Sequence, residues 1–599
     1  MRDGNLITGL RKWKNTGIAL AITVILFALL FLCFDVLYYA NDDVMIQDIL
    51  SGRFSGQSSS MTVYFNQPLS FLLSGFYALQ PSIPWFGFFQ IACYGLCLTM
   101  VMAKLISGKE KWWKKVIRIS GVITLFLMLL GRQMILPTYT VTAAVVGATA
   151  IFCVAYCKEN RFPWESLLLV ILCYEIRSNV CFLMLPFFAV AVCYHLLTHE
   201  KPEKKKMILQ TGVIASCVVL LALVQLAFYN GQNWKDYFAY NDLRTLIYDY
   251  TGIPMDENAM KYYEECGLSE QTINCYQKYD ILLADDISSY PLEVFRNYQE
   301  QLPVDQMQKC REAVYIYVHR LFLETEDMPY NILLIFLYVL LIFDASLHPG
   351  SEKRNPAAHA TADLEPAKPL RKTGISLSLL LPLLFVGRSI IWIYLIYRGR
   401  YPERITVSLY LFEILLLLGM WQSRREAHRS DVNDQGSRKW REKFFGIFSG
   451  VLLAGISLYG SIYSMQALCE SYQAQISVNE KYDMVYFYME QHPDDFFLLD
   501  VNSFPNRTEY ALKRDTYGYH NYMLLGGWMM GHPLLEQKLE REQIGNVRVA
   551  LYGGNSVYFI GKDLSLFEGE NVKILETFTV GEETYYLITI SELACRTGV

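Results

Sequence analysis

Apolar residues along this chain gather into long blocks instead of alternating with polar ones. The blocks run about 18–24 residues, the length that crosses about 30 Å of hydrocarbon at 1.5 Å per residue. They fall at about 18–39, 84–106, 115–134, 137–156, 163–180, 181–197, 208–229, 329–346, 374–397, 403–421 and 445–465. The pattern predicts a polytopic α-helical membrane protein with about eleven transmembrane helices. The first block follows Arg11, Lys12 and Lys14 but lacks a small-residue cleavage site, so it reads as a retained helix and not a signal peptide.

The polar stretches between the blocks divide the chain. Residues 1–229 form an N-terminal transmembrane module with an outer loop at 40–83. In that loop, the apolar run Leu69 to Leu79 is too short to span and is expected to lie at the interface. Residues 230–328 read as an extracytoplasmic helical segment rich in Tyr, Asp and Glu. Residues 329–465 form a second transmembrane module, and 466–599 an extracytoplasmic α/β domain. The latter is expected to hold helices near 478–491 and 534–541, strands at Phe496 to Asp500 and Val547 to Tyr552, and a hairpin turning at Val580-Gly581-Glu582-Glu583.

Charge sets the orientation. Basic clusters occupy alternate loops: Lys109 to Lys115, Lys158 to Arg161, Lys201 to Lys206, Lys353 to Lys372 and Arg424 to Lys443. By the positive-inside rule these loops and the N-terminus lie inside, which puts the C-terminus outside. The outer loop 40–83 carries a single basic residue, Arg53. Composition agrees: apolar types reach 53% and charged types only 19%, against about a quarter in soluble proteins. With no basic domain, nothing points to nucleic acid. The fourteen cysteines include no CxxC pair, and Cys266 and Cys275 could close one disulfide on the outer side.

Candidate chemistry concentrates at the outer face. Asn41-Asp42-Asp43 directly follows the first block. An adjacent carboxylate pair there suits a general base, or oxygen ligands for a divalent cation, and equally suits an ordinary solvated helix end. Arg132, Arg177, Arg398, Arg400 and Arg404 are expected at matching depth. Arginines at that level can hold a phosphate while hydrocarbon takes its lipid tail, or can simply reach to headgroups. Arg388 lies deep in its block, and Glu413 lies about equally far from the intervening loop, so a buried Arg388–Glu413 pair is expected. Asn506-Arg507-Thr508 matches a glycosylation acceptor by chance spacing, Gly526-Gly527 and Gly553-Gly554 read as turns, and His492-Pro493-Asp494-Asp495 as a helix end.

Two stretches carry a resemblance. Tyr39-Ala40-Asn41-Asp42-Asp43, an acidic pair straight after the first span, and Tyr64-Phe65-Asn66-Gln67-Pro68-Leu69, a Pro-led apolar segment, resemble the GT-C superfamily of polyprenyl-phosphate-sugar-dependent membrane glycosyltransferases. The Pro-led segment is similar to the His-Pro-Pro-Leu-type segment of protein mannosyltransferases, with the His absent, and the Asp-Glu of that family is Asp-Asp here. The resemblance covers the first 200 residues best. It implies an inverting transfer from a polyprenyl-phosphate sugar to an acceptor hydroxyl on a cell-envelope glycan or glycoconjugate, outside a bacterial plasma membrane. Asp43 or Asp42 would be the base, the five arginines would hold the lipid phosphate, and Tyr64, Asn66, Gln67 and Glu175 would touch acceptor or sugar. No cofactor is required by this reading, though a divalent cation is compatible with it. A transporter of a lipid-linked or small solute is the alternative, disfavoured by the absence of internal repeats and by charge gathered at one face. A non-catalytic envelope scaffold is the third reading.

Overall fold

In the computed structural model, described residues are 2–106, 111–157, 163–198, 201–323, 326–347, 373–430, 436–505, 508–513, 518–552 and 555–591. The chain is mostly helical, with a small sheet near its C-terminus. Among the described residues, seven helices are long and apolar enough to cross a membrane, and Tyr139–Ala155 and Tyr330–Ser346 are shorter apolar helices.

The first helix, α1 (Arg2–Cys33), ends six residues earlier than the sequence pattern predicts. Residues 34–40 are irregular because neighbours use their backbone: Leu37 and Tyr39 donate to Ile135 and Pro137, and Tyr38 donates to Glu509. The loop 40–83 then forms α2 (Asn41–Ser51), stopped by Gly52 in the left-handed region at φ 86°. Next comes α3 (Gln67–Leu79), with Pro68 in its first turn. Phe71, Leu72, Phe76 and Leu79 leave one face of α3 apolar and exposed, as suits a helix lying at the interface.

The next helices are α4 (Trp85–Leu105), α5 (Trp112–Ile135), α6 (Tyr139–Ala155), α7 (Trp164–Ile176), α8 (Ser178–Thr198) and α9 (Lys201–Phe228). Every residue of α6 is buried, so it is the central post, and its small residues let neighbours approach closely. A helical segment follows as α10 (Gln232–Leu246), a π-turn at Ile247–Thr251, α11 (Glu257–Glu265), α12 (Glu270–Lys278), α13 (Tyr290–Gln301) and α14 (Gln306–Phe322). Cys266 and Cys275 are both free thiols, which corrects the disulfide expectation. Cys275 is buried in this segment's core, whereas Cys266 caps α11 near its surface.

Four further helices, α15 (Tyr330–Leu347), α16 (Thr373–Tyr397), α17 (Glu403–Ser430) and α18 (Gly436–Gln491), share one core with α4–α9, α17 packing on α6 and α18 on α5. Here the sequence reading needs correction: the expected span at 445–465 and the expected helix at 478–491 are one 56-residue helix. No Gly or Pro interrupts the chain between Gly460 and Pro493, so nothing breaks the helix before the residue preceding that proline.

The C-terminal sheet has the order β2-β1-β3-β5-β4. The strands are β1 (Phe496–Leu499), β2 (Tyr522–Leu524), β3 (Val557–Gly561), β4 (Val572–Val580) and β5 (Glu583–Ile590). Strand β1 pairs parallel with β2 and β3, and the β4–β5 hairpin is antiparallel, turning at Gly581. The helix α19 (Pro533–Arg541) lies where expected. The expected strand at Val547 to Tyr552 is instead the helical turn α20 (Val547–Ala550). Its alternating valines suggest β structure, but Asn546 Oδ1 accepts from Val549 N at 3.0 Å and starts a helix. The sheet packs on the α10–α14 segment: Leu282 N donates to Leu525 O at 3.1 Å. A Cβ on Gly526 would lie 2.0 Å from Tyr279 O, so only glycine admits that approach. Asn506, Arg507, Gly553, Gly554 and Cys595 lie outside the described residues.

Candidate functional site

Asp42 and Asp43 stand in the first turn of α2, where the helix dipole favours negative charge. Their surroundings differ. Asp43 is fully buried. Its Oδ1 accepts from the backbone N–H of Tyr139, the first residue of α6, at 2.8 Å, and from Gln90 Nε2 at 2.9 Å. Gln90 is held in turn by the Thr142 hydroxyl at 3.2 Å. The other oxygen, Oδ2, is buried with no hydrogen-bond partner. Burial pushes the Asp43 carboxyl up to about 7, against the lowering effect of the Tyr139 and Gln90 bonds. Asp42 is a quarter exposed and faces Arg404 Nη1 at 3.3 Å.

The five expected arginines do not form one open anion cradle. Arg132 is paired with Glu403 Oε1, and Tyr39 donates to Glu403 Oε2 at 3.2 Å. Arg404 is paired with Asp42, and Arg400 with Asp249 at 2.5 Å. Arg177 rests over the Tyr139 ring at 4.7 Å and bonds the Thr140 hydroxyl. Arg398 lies over the Tyr250 ring at 5.3 Å, with Arg400 over the same ring. Arg177 and Arg398 have no carboxylate partner among the described residues. The charges therefore form a belt along one end of the helices, at the C-termini of α5, α7 and α16 and the N-terminus of α17. A narrow recess of about 20 Å³ opens in it, lined by Tyr39, Arg132, Gln133, Thr138, Glu403 and Arg404. That is room for about one water.

Of the residues expected to touch acceptor or sugar, three anchor the loop instead of facing the recess. Asn66 Nδ2 donates to Tyr174 O at 2.7 Å, and Gln67 Nε2 donates to Ser60 O and Tyr229 Oη, both at 2.8 Å. Glu175 Oε2 accepts from Leu69 N at 3.2 Å and so caps α3, while its Oε1 has no partner. Tyr64 packs edge-on against Trp528 at 5.1 Å, at the joint between the loop and the C-terminal unit.

The expected Arg388–Glu413 contact is present at 2.6 Å, with both side chains buried. Tyr317 Oη accepts from Arg388 Nη1 at 3.0 Å, and Tyr338 donates to Glu413 Oε1 at 2.5 Å.

Sequence reasoning missed several partners. Gln90 was legible in principle, as a polar residue inside an apolar block. Glu403 and Asp249 pair with Arg132 and Arg400, which were read as holding a phosphate or reaching to headgroups. Arg53 was noted only as the lone basic residue of its loop, yet it is the centre of a clamp. Its Nη2 lies 2.5 Å from Asp48 Oδ1 and 2.6 Å from Glu509 Oε2. His520 Nδ1 lies 3.4 Å from Asp48. Lys538 Nζ closes the cluster by donating to Phe54 O at 2.9 Å and His520 O at 2.6 Å, and burial holds its ammonium down to about 7. Asp48, Glu509 and His520 are the described residues spaced like metal ligands, so a cation would fit there sooner than at Asp42–Asp43. The Arg53 guanidinium already occupies the carboxylates, so the donor set suits an arginine better than a divalent ion. Arg53→Met leaves two buried carboxylates facing each other and is expected to cost about 3–5 kcal/mol. Thermal melting of the purified protein checks this; a melt equal to wild type would show the clamp to be dispensable.

Compared with known proteins, the chain matches no family model, no curated protein and no solved structure.

Proposed function

We propose that the chain is an inverting, GT-C-like glycosyltransferase that moves a sugar from a polyprenyl-phosphate donor to an acceptor hydroxyl at the outer face of a bacterial plasma membrane. Eleven spans, with the N-terminus inside and the C-terminus outside, go with this reading. One observation carries it: a fully buried carboxylate with one oxygen unpartnered stands beside an acid–arginine pair at one end of the helices.

The chemistry then follows from the residues. Asp43 takes the proton from the acceptor hydroxyl as its oxygen attacks the anomeric carbon. The sugar–phosphate bond breaks on the opposite face, and the polyprenyl phosphate leaves with the bond's electron pair. One displacement inverts the centre, and no second carboxylate nucleophile is required. The donor phosphate competes with Asp42 for Arg404, and with Glu403 for Arg132. Parting these pairs widens the recess, which now holds about one water, and gives the acceptor a way to Asp43. Arg177, Arg398 and Arg400 add positive potential along the belt. A divalent cation is not needed for this step but is compatible with it.

The test is turnover of a panel of polyprenyl-phosphate sugars by purified protein, read as released polyprenyl phosphate. The rate is expected to rise with pH through about 7, as Asp43 loses its proton. A folded wild type that neither binds nor turns over any donor would remove the proposal and leave the scaffold or transporter reading.

A further inference from the structure

The helix α14 has three faces. Counting about 100° per residue, Ala313, Tyr317, Arg320 and Leu321 share the face that is buried. Gln308, Glu312 and His319 share a second, polar face. Met307, Val314, Tyr315, Val318 and Phe322 share a third with Arg311; this face is exposed, Tyr315 to 70% and Met307 to 64%, and is apolar from Val314 onward. A helix at an aqueous surface needs only the first two faces.

Depth explains the third. Tyr317 Oη shares a hydrogen bond with Ser389 Oγ at 2.6 Å and accepts from Arg388 at 3.0 Å. These residues lie eight and nine positions inside the outer end of α16 at Tyr397, or about 12–14 Å along the helix. Just beyond α14, Tyr330 stacks on Tyr410 at 5.7 Å and donates to Leu129 O at 2.8 Å. Tyr410 is seven positions inside the outer end of α17, and Leu129 six inside that of α5. Tyr317 of α14 and Tyr330, eight residues past the end of α14, thus sit about 9–14 Å below the outer ends of three separate helices, against a hydrocarbon half-thickness of about 15 Å. The shallow end carries the cations: Lys309 lies over the ring of Tyr397 at 5.2 Å, a level suited to headgroups. The helix α16, against which α14 packs, also exposes apolar residues at Leu383, Val386 and Ile390.

We propose that α14 is submerged obliquely in the outer leaflet, its Met307–Val314–Tyr315–Val318–Phe322 face covered by lipid acyl chains. The aqueous part of the outer segment then ends near residue 302, not 328. The inference rests on α5, α16 and α17 crossing a membrane and on nothing about catalysis.

The test places a benzophenone amino acid at Val318, and separately at Tyr315, in full-length protein held in phosphatidylcholine nanodiscs. Ile390 on α16 serves as the lipid-facing control, and Ile287 in the outer segment as the aqueous one; both are exposed. All four positions are on the surface, so each variant should elute as wild type does. Illumination is expected to give phospholipid adducts at Val318 and Tyr315 in yields close to Ile390 and well above Ile287. Adduct yields at the Ile287 level would overturn the proposal and make the face aqueous. Protein–protein adducts in place of lipid ones would overturn it too, showing that a second chain covers the face.

Discussion

Asp43→Asn protein remains folded and binds the donor, but releases polyprenyl phosphate about 10²–10⁴-fold more slowly than wild type. That range is what loss of a positioned general base typically costs. The variant should fold because asparagine keeps the oxygen that accepts from Tyr139 and Gln90, and replaces only the partnerless Oδ2. The pH dependence adds a second readout. Asp43 has its folded value raised from 3.8 to about 7 by burial. Its contribution to stability is therefore fully present below about pH 3.8 and is lost as pH rises through about 7. Wild type should show that slope and the Asn variant should lack it, while the rise in rate through the same pH range disappears. Asp42→Asn behaves differently: it releases Arg404, and its effect should fall mainly on donor binding. If instead Asp42→Asn abolishes turnover while Asp43→Asn merely weakens the fold, the exposed carboxylate is the base and Asp43 an anchor.

The second large effect is on stability. Arg388→Leu and Glu413→Leu should each cost about 3–5 kcal/mol, because each strands a buried charge. The pair is buried at 1% side-chain exposure on both sides, and the network joins four helices through Tyr317 of α14 and Tyr338 of α15. The double variant Arg388→Leu/Glu413→Leu should recover much of that loss, since two leucines leave no orphaned charge in hydrocarbon. Arg398→Leu, which gives up only contact with the Tyr250 ring, should cost under about 1 kcal/mol. Melting temperatures of the four variants in one detergent decide the matter. Single variants that melt with wild type, or a double variant as unstable as the two losses summed, would dismiss the network as a determinant of helix packing.

What was legible in the sequence was whatever depends on chain-local pattern. Block length marked the helices, Gly581 marked the hairpin, and equal distance from a loop matched Arg388 to Glu413. What failed was whatever the sequence leaves to competition between neighbours. The stretch Val547 to Tyr552 alternates like a strand, but one asparagine cap turned it helical. The end of the eleventh block was drawn where hydropathy falls, although a helix stops only where its backbone is stopped. The arginine belt was recognised, but its carboxylate partners were not, because Glu403 and Asp249 come from other elements and pair only in three dimensions. Asn66 and Gln67 were assigned to a ligand on the strength of their place in a motif. Their amides are spent on Tyr174, Ser60 and Tyr229, none of them visible from spacing.

The uninterrupted α18 is a lever arm. About 26 of its residues extend past the end of the eleventh apolar block, roughly 39 Å of rod. A change in tilt of about 5° at the membrane would swing the far tip by roughly 3 Å, with no hinge between to absorb it. Tilt is what a membrane helix adjusts when bilayer thickness changes. The sheet at the rod's far end is tied through Glu509 and Arg53 to the loop that carries Asp42 and Asp43. A change in the tilt of α18 would therefore be carried to the loop that holds the carboxylate pair.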